Sequence, residues 1–284
     1  MKRSNNLVKV FFIAAISLLS IVVLNSCNKS MQDKAAPLQD NSVDDGTLSS
    51  SPIAMWSFDG SWAESVHNLV GVPHSKVKFS NTMQAHSGTA AFYSKDSGYV
   101  SYANPGPLSR LTTGLSVDFW VYATPQEGGA QCVWCLPQTG AFWPTQHVLL
   151  DGYNSAQGDS GLIKVMFKAN KAVDYNEQWT QVSGIPKFYN RWSHVQYSYK
   201  GKNSKFTLIV NGKTYFDHVV LYDGGDTLTR KPLGNLVANP GPHGIVIGAF
   251  QNTWDPALFG DRQIWMLPFK GRIDDLKIYN KALF

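Results

Sequence analysis

Glutamate is scarce in this 284-residue chain. Only Glu64, Glu127 and Glu177 occur, each isolated. Hydrolysis of a glycosidic bond by the usual route needs two carboxyl groups held at a fixed separation, and no Glu pair can supply them. Cysteine is nearly absent as well, with three in all, so neither a disulfide framework nor a four-Cys zinc site can be built. Charged residues make up 16% of the chain, and the lysines and arginines are scattered. The formal net charge is +5. Three of the basic residues (Lys2, Arg3, Lys9) precede residue 10, and the rest form neither a basic helix nor a cluster, so no nucleic-acid partner is expected. No amphipathic helical period stands out either. Short β-branched and aromatic runs alternate with Gly, Pro, Asn and Asp clusters, which is how an all-β domain reads.

The chain does have a marked beginning. Lys2, Arg3 and Lys9 precede an apolar run from Phe11 to Leu24, followed by Leu24-Asn25-Ser26-Cys27. The run is short for a bilayer span, and the quartet resembles a bacterial lipobox, in which the Cys is acylated and becomes the new N-terminus. That resemblance implies residues 1–27 as a lipoprotein signal peptide, lipidation at Cys27, and a membrane partner reached through a lipid anchor. The implied location is the bacterial cell envelope, at the outer membrane. An ordinary signal peptide is the alternative. Residues 28–52 are polar and aperiodic and contain Pro37 and Gly46, a flexible tether. Residues 53–284 then form a single domain, since no second linker divides them.

Strand signals can be placed within that domain. Asn211-Gly212 lies between Phe206–Val210 and Lys213–Phe216, the strongest hairpin signal in the chain. From Leu115 to Tyr122 the parity puts Leu115, Val117, Phe119 and Val121 on one face and Ser116, Asp118, Trp120 and Tyr122 on the other. That second face is too mixed for plain solvent and suits a groove floor or a second packed layer. In Gly271–Leu283, parity sets Asp274 with Leu276 and Ile278, so a carboxylate faces the core and needs a partner, while Asp275 and Lys277 point away.

Several of these stretches, taken in order, resemble strands of one family. They are Trp56-Ser57-Phe58-Asp59-Gly60, Ser87-Gly88-Thr89-Ala90-Ala91-Phe92, Leu115–Val121, Trp192-Ser193-His194-Val195, Leu208-Ile209-Val210-Asn211-Gly212-Lys213, and the closing Gly271–Leu283. Together they resemble a laminin G-like domain of the concanavalin A-like lectin/glucanase group. The implied fold is all-β, a jellyroll β-sandwich of two antiparallel sheets. No family pattern shows between about 125 and 190. The resemblance also implies a structural Ca2+ joining the first and last strands, with Asp59 and Asp274 as its ligands. The alternative has Asp59 in a turn with Gly60 and Asp274 bonded to loop amides.

Nine tryptophans offer a second chemistry, because an indole stacks on the apolar face of a sugar ring while short polar side chains meet its hydroxyls. Trp56, Trp120 and Trp192 lie in family-like strands and read as core or sheet packing. Trp134, Trp143, Trp179, Trp254 and Trp265 read as loop residues and are the candidates for binding a poly- or oligosaccharide. A lyase-type base could be drawn at His194 near Tyr197 or Tyr199, but a hydrogen-bonded strand histidine is the simpler reading. Gly158-Asp159-Ser160-Gly161 reads as a turn. Cys132 and Cys135 are a candidate local disulfide, with buried thiols as the alternative. The function expected is carbohydrate binding without catalysis. A protein-binding scaffold, including an envelope protein partner, is the alternative, and a polysaccharide-degrading enzyme comes third.

Overall fold

The computed structural model describes residues 51–152, 158–169, 177–221, 232–237, 244–253 and 260–284, the side chains of 177–179 aside. The signal segment with Cys27 and nearly all of the tether therefore lie outside the described residues. No helix among those described is long and apolar enough to cross a membrane. The described residues hold sixteen strands: β1 (Ala54–Trp56), β2 (Val72–His74), β3 (Lys78–Phe79), β4 (Phe92–Ser94), β5 (Tyr99–Tyr102), β6 (Gly114–Ala123), β7 (Ala130–Leu136), β8 (Gln146–Asp151), β9 (Gly161–Lys168), β10 (Glu177–Ile185), β11 (Trp192–Lys200), β12 (Lys205–Val210), β13 (Lys213–Val219), β14 (Ile245–Ile247), β15 (Met266–Leu267) and β16 (Gly271–Tyr279). The only helical pieces among them are short 3-10 turns.

The strands form two sheets. The first runs β13-β12-β11-β6-β16-β4-β3, with β1 also paired to β16. The second runs β10-β9-β8-β7-β14-β5-β2, with β15 paired to β7 in the one parallel contact described. β7 to β10 come from the middle of the chain, where no family pattern shows, and they supply four of the eight strands of the second sheet.

Alternation builds the core. Val117, Phe119 and Val121 of β6 turn inward to meet Val148 and Leu150 of β8 and Val165 of β9, all of them buried. The expected hairpin is present. Asn211 and Gly212 both take positive φ, 50° and 76°, the twist a two-residue turn needs to match its strands.

A second, smaller apolar layer covers the far side of the second sheet, where Cys132, Cys135, Leu149, Val246 and Met266 pack under Phe142, Phe250 and Trp265. β7 is consequently buried along its whole length. A register shift between Cys132 and Trp134 lets it serve both layers, sending Val133 and Trp134 to the main core and Cys132 and Cys135 outward.

Candidate functional site

The closing strand departs from simple alternation. β16 has a bulge between Asp274 and Lys277, where three steps along β16 match two along β6, and Asp275 takes a positive φ of 50°. Asp274 therefore stands in register with outward-facing Trp120, while Ile273, Leu276 and Ile278 keep their places in the core. Both carboxylates reach one loop. Asp274 Oδ2 accepts the backbone N–H groups of His86 (2.9 Å) and Ser87 (3.1 Å), and its Oδ1 accepts the Asp275 amide at 3.0 Å. Asp275 Oδ2 accepts the Ser87 hydroxyl at 2.6 Å. The expectation that these two residues point to opposite faces is corrected by the bulge, which sequence parity does not reveal.

Asp59 holds the other end of the same loop, its Oδ1 accepting the amides of Thr89 (2.5 Å) and Ala90 (3.1 Å). Gly88, between Ser87 and Thr89, has φ +61°, and a Cβ there would run into the Asp59 carboxylate, so only glycine fits. The stretch read as an early strand is thus largely a loop, with only Phe92 in β4.

A Ca2+ shared by Asp59 and Asp274 does not suit this donor set. Asp274 spends both oxygens on three amides, and Asp59 is not among the metal-type ligand atoms lying within 4.8 Å of one another, which come from His86, Asp274 and Asp275. That trio includes an imidazole, whereas calcium takes oxygen ligands. The buried carboxylate has its partners in backbone amides. Burial, with Asp275 alongside, pushes Asp274 up to about 6 against the pull of those amides.

The five candidate tryptophans separate. Trp134 lies in β7, fully buried in the main core, and cannot meet a sugar. Trp179 lies in β10, with its side chain outside the description, and Trp254 lies outside the described residues. Trp143 and Trp265 do come together. Their ring centroids are 5.6 Å apart, and Trp265 also meets Phe250 at 5.5 Å. Phe250 in turn lines a cleft of about 290 Å³ with Tyr99, Thr253 and Arg262. The disulfide expectation is also corrected, since Cys132 and Cys135 are buried free thiols.

A surface that the loop-centred reading passed over lies on the outer face of the first sheet. Trp120 of β6 sits between two imidazoles. His86 stacks at 3.6 Å from the loop side and His194 at 4.4 Å from β11, both nearly parallel to the indole. His194 Nε2 lies 2.9 Å from Asp118 Oδ1, and the Gln196 amide donates to Asp118 Oδ2 at 2.7 Å. Burial raises the Asp118 carboxyl, but these contacts outweigh it and hold the group below its ordinary value. His86 is shifted down by burial, partly offset by Asp275. Trp192 closes the group, edge-on to His86 at 5.7 Å and to Tyr122 at 6.0 Å.

All these side chains are half-buried rather than covered. The signal for this surface was the mixed second face of Leu115–Tyr122. Trp120 and Trp192 lie in regular strands, where an indole reads as packing, and that masks the signal. His194 is the hydrogen-bonded strand residue expected. Glu64 is buried and spends its carboxylate on the amides of Met55, Val66 and His67.

No protein-family model matches the chain, nor does any curated protein sequence. Solved structures do. Domain 4 of AbnA, a GH43 extracellular arabinanase from Geobacillus stearothermophilus, in complex with arabinotriose, aligns over 82% of this chain and 94% of its own, with TM-score 0.51 and 17% identity. The fold is a jellyroll-like β-sandwich. The binding domain of botulinum neurotoxin DC aligns similarly in two structures. Its complex with SialylT gives TM-score 0.52 and 13% identity over 83% of this chain and 49% of the other. Its complex with rat synaptotagmin II gives 0.51 and 12% over 82% and 49%. These likenesses bear on the fold, and one fold hosts many functions.

Proposed function

We propose that this protein binds an extracellular carbohydrate without transforming it, through the outer face of the first sheet. The observation that carries this is the half-exposed group of Tyr93, Tyr122 and Trp192 on one face of the sheet, interleaved with Asp118, His194, Gln196 and Arg272 and buttressed by Trp120 between its two imidazoles. Aromatic rings offer flat apolar area for sugar C–H faces, and the polar groups between them are spaced for hydroxyls. The arabinotriose and SialylT complexes of similarly folded domains support the reading.

Absence of catalysis fits the carboxylates. Asp118 is tied to His194 and Gln196, and Asp274 accepts three backbone amides, so both carboxylates are held by the protein's own donors. Trp143 and Trp265, beside the cleft on the other sheet, are a secondary contact region in this reading. Acylation at Cys27 and a tether over residues 28–52 would hold the domain at the envelope surface and raise its effective concentration near a polymer.

The test is a glycan array probed with the full-length chain in mild detergent, alongside Trp192→Ala. Binding to one polysaccharide class that falls at least roughly ten-fold in the variant, with an unchanged circular dichroism spectrum, supports the reading, since an aromatic stack carries about 1–3 kcal/mol. A blank array from folded protein sinks it and turns attention to a protein partner.

A further inference from the structure

One row of side chains crosses the outer face of the first sheet without interruption. Register aligns Lys78 of β3 with Tyr93 of β4, Tyr93 with Arg272 of β16, Arg272 with Tyr122 of β6, and Tyr122 with Trp192 of β11. Cations and rings thus alternate over four strands, with a second ring on the fifth, a span of about 19 Å at about 4.8 Å per strand. The contacts follow the register. The Arg272 guanidinium carbon lies 5.0 Å from the Tyr93 ring centroid and 4.8 Å from that of Tyr122, and Lys78 Nζ lies 5.3 Å from the Tyr93 ring.

Arg272 is the unusual member. An arginine in a sheet commonly finds a carboxylate, yet among the described residues none pairs with it, and its Nε is buried with no hydrogen-bond partner. The side chain is nonetheless held in place, clamped between two phenol rings and only half exposed. Its planar fork is thereby pre-organised, with its entropy already lost and its donors unspent. The acidic groups facing this area are engaged elsewhere. Asp118 is bound by His194 and Gln196, Asp274 by amides, and Asp275 by the Ser87 hydroxyl with His86 at 3.9 Å. No carboxylate of the row itself opposes an incoming anion.

We infer that the Lys78–Tyr93–Arg272–Tyr122–Trp192 row is a track for an acidic polysaccharide, with Arg272 taking a uronate carboxylate in its fork while the Trp192 indole stacks on a neighbouring sugar. This rests on the carbohydrate-binding reading above and narrows it to a ligand class. A carboxylate fits better than a lone hydroxyl because the guanidinium presents parallel N–H donors, and a charge-assisted pair is about twice as strong as a neutral one.

The experiment titrates the full-length chain, in mild detergent at physiological salt, with polygalacturonate and with the same polymer fully methyl-esterified, which keeps the rings and removes the charge. Wild type, Arg272→Gln, Arg272→Lys and Trp192→Ala are compared, each checked for folding by circular dichroism. The expected result is binding of the acid form, weakened by roughly ten- to a hundred-fold in Arg272→Gln, the loss of one charged hydrogen-bonded contact. Arg272→Lys keeps the charge but loses the fork and should fall nearly as far, whereas a diffuse polyelectrolyte effect would leave it like wild type and overturn the inference. Equal binding of both polymers, or an unaffected Arg272→Gln, overturns the acidic-ligand inference while the broader reading stands. Loss of the esterified polymer's binding in Trp192→Ala would identify that case. Failure of every polysaccharide to bind folded protein removes both.

Discussion

Asp59 and Asp274 grip the two ends of a single loop, Asp274 accepting the amides of His86 and Ser87 and Asp59 those of Thr89 and Ala90. Residues far apart in the chain thereby fix the segment that presents His86 to Trp120. Replacing Asp274 with Ala orphans amides beside a buried site and should cost about 1–3 kcal/mol. That lowers the melting temperature by several degrees for a domain of this size. Asp59→Ala, at an exposed position, should cost less. Thermal melts of the two variants against wild type check the order, and an unshifted Asp274→Ala melt would rule out the clamp.

Acid should act on Asp274 in an unusual direction. Its folded-state value of about 6 lies above the ordinary 3.8, so between those values the folded protein binds more protons than the unfolded one. This group's contribution is therefore largest below about 4 and declines as pH rises through about 6. Asp59 and Asp118, held below their ordinary value, act oppositely and lose their contribution as pH falls below it. The difference in stability between wild type and Asp274→Asn, followed by urea titration from pH 4 to 7, should change across that window. A constant difference would contradict the shift.

Chelation gives a clean check on the loop. With the Asp274 oxygens given to amides, EGTA should leave the melting temperature of metal-free and calcium-supplemented protein unchanged. A calcium-dependent rise, which mass action produces for any ligand bound only to the folded state, would show that an ion is held after all.

Trp134 and Trp192 should behave as opposites. Trp134 is sealed in the main core, so Trp134→Ala should destabilise by about 3–5 kcal/mol. Trp192 lies half exposed at the outer face, so Trp192→Ala should change stability little and glycan binding greatly. Denaturant melts paired with binding titrations separate the two, and a large stability loss in Trp192→Ala would make it a packing residue after all.

The all-β class, the Asn211-Gly212 hairpin and the two faces of Leu115–Tyr122 were legible in the chain, because each depends on a period of two or on turn chemistry within a few residues. Parity failed where a bulge intervened. One extra residue at Asp275 turned Asp274 from the core to the outer face. Trp134, read as a loop residue, lies instead in β7, where an irregularity sends it inward and Cys132 and Cys135 outward. A bulge depends on the partner strand's register, which no local pattern records. The row from Lys78 to Trp192 was hidden for a similar reason. Its five members come from five separate stretches, and only the pairing of β3, β4, β16, β6 and β11 sets them side by side. The sequence by itself determined the all-β class, the central hairpin and which residues can stack, bond or carry charge. Tertiary structure alone decided which of those residues share a surface, because sheet order and register are properties of the whole chain.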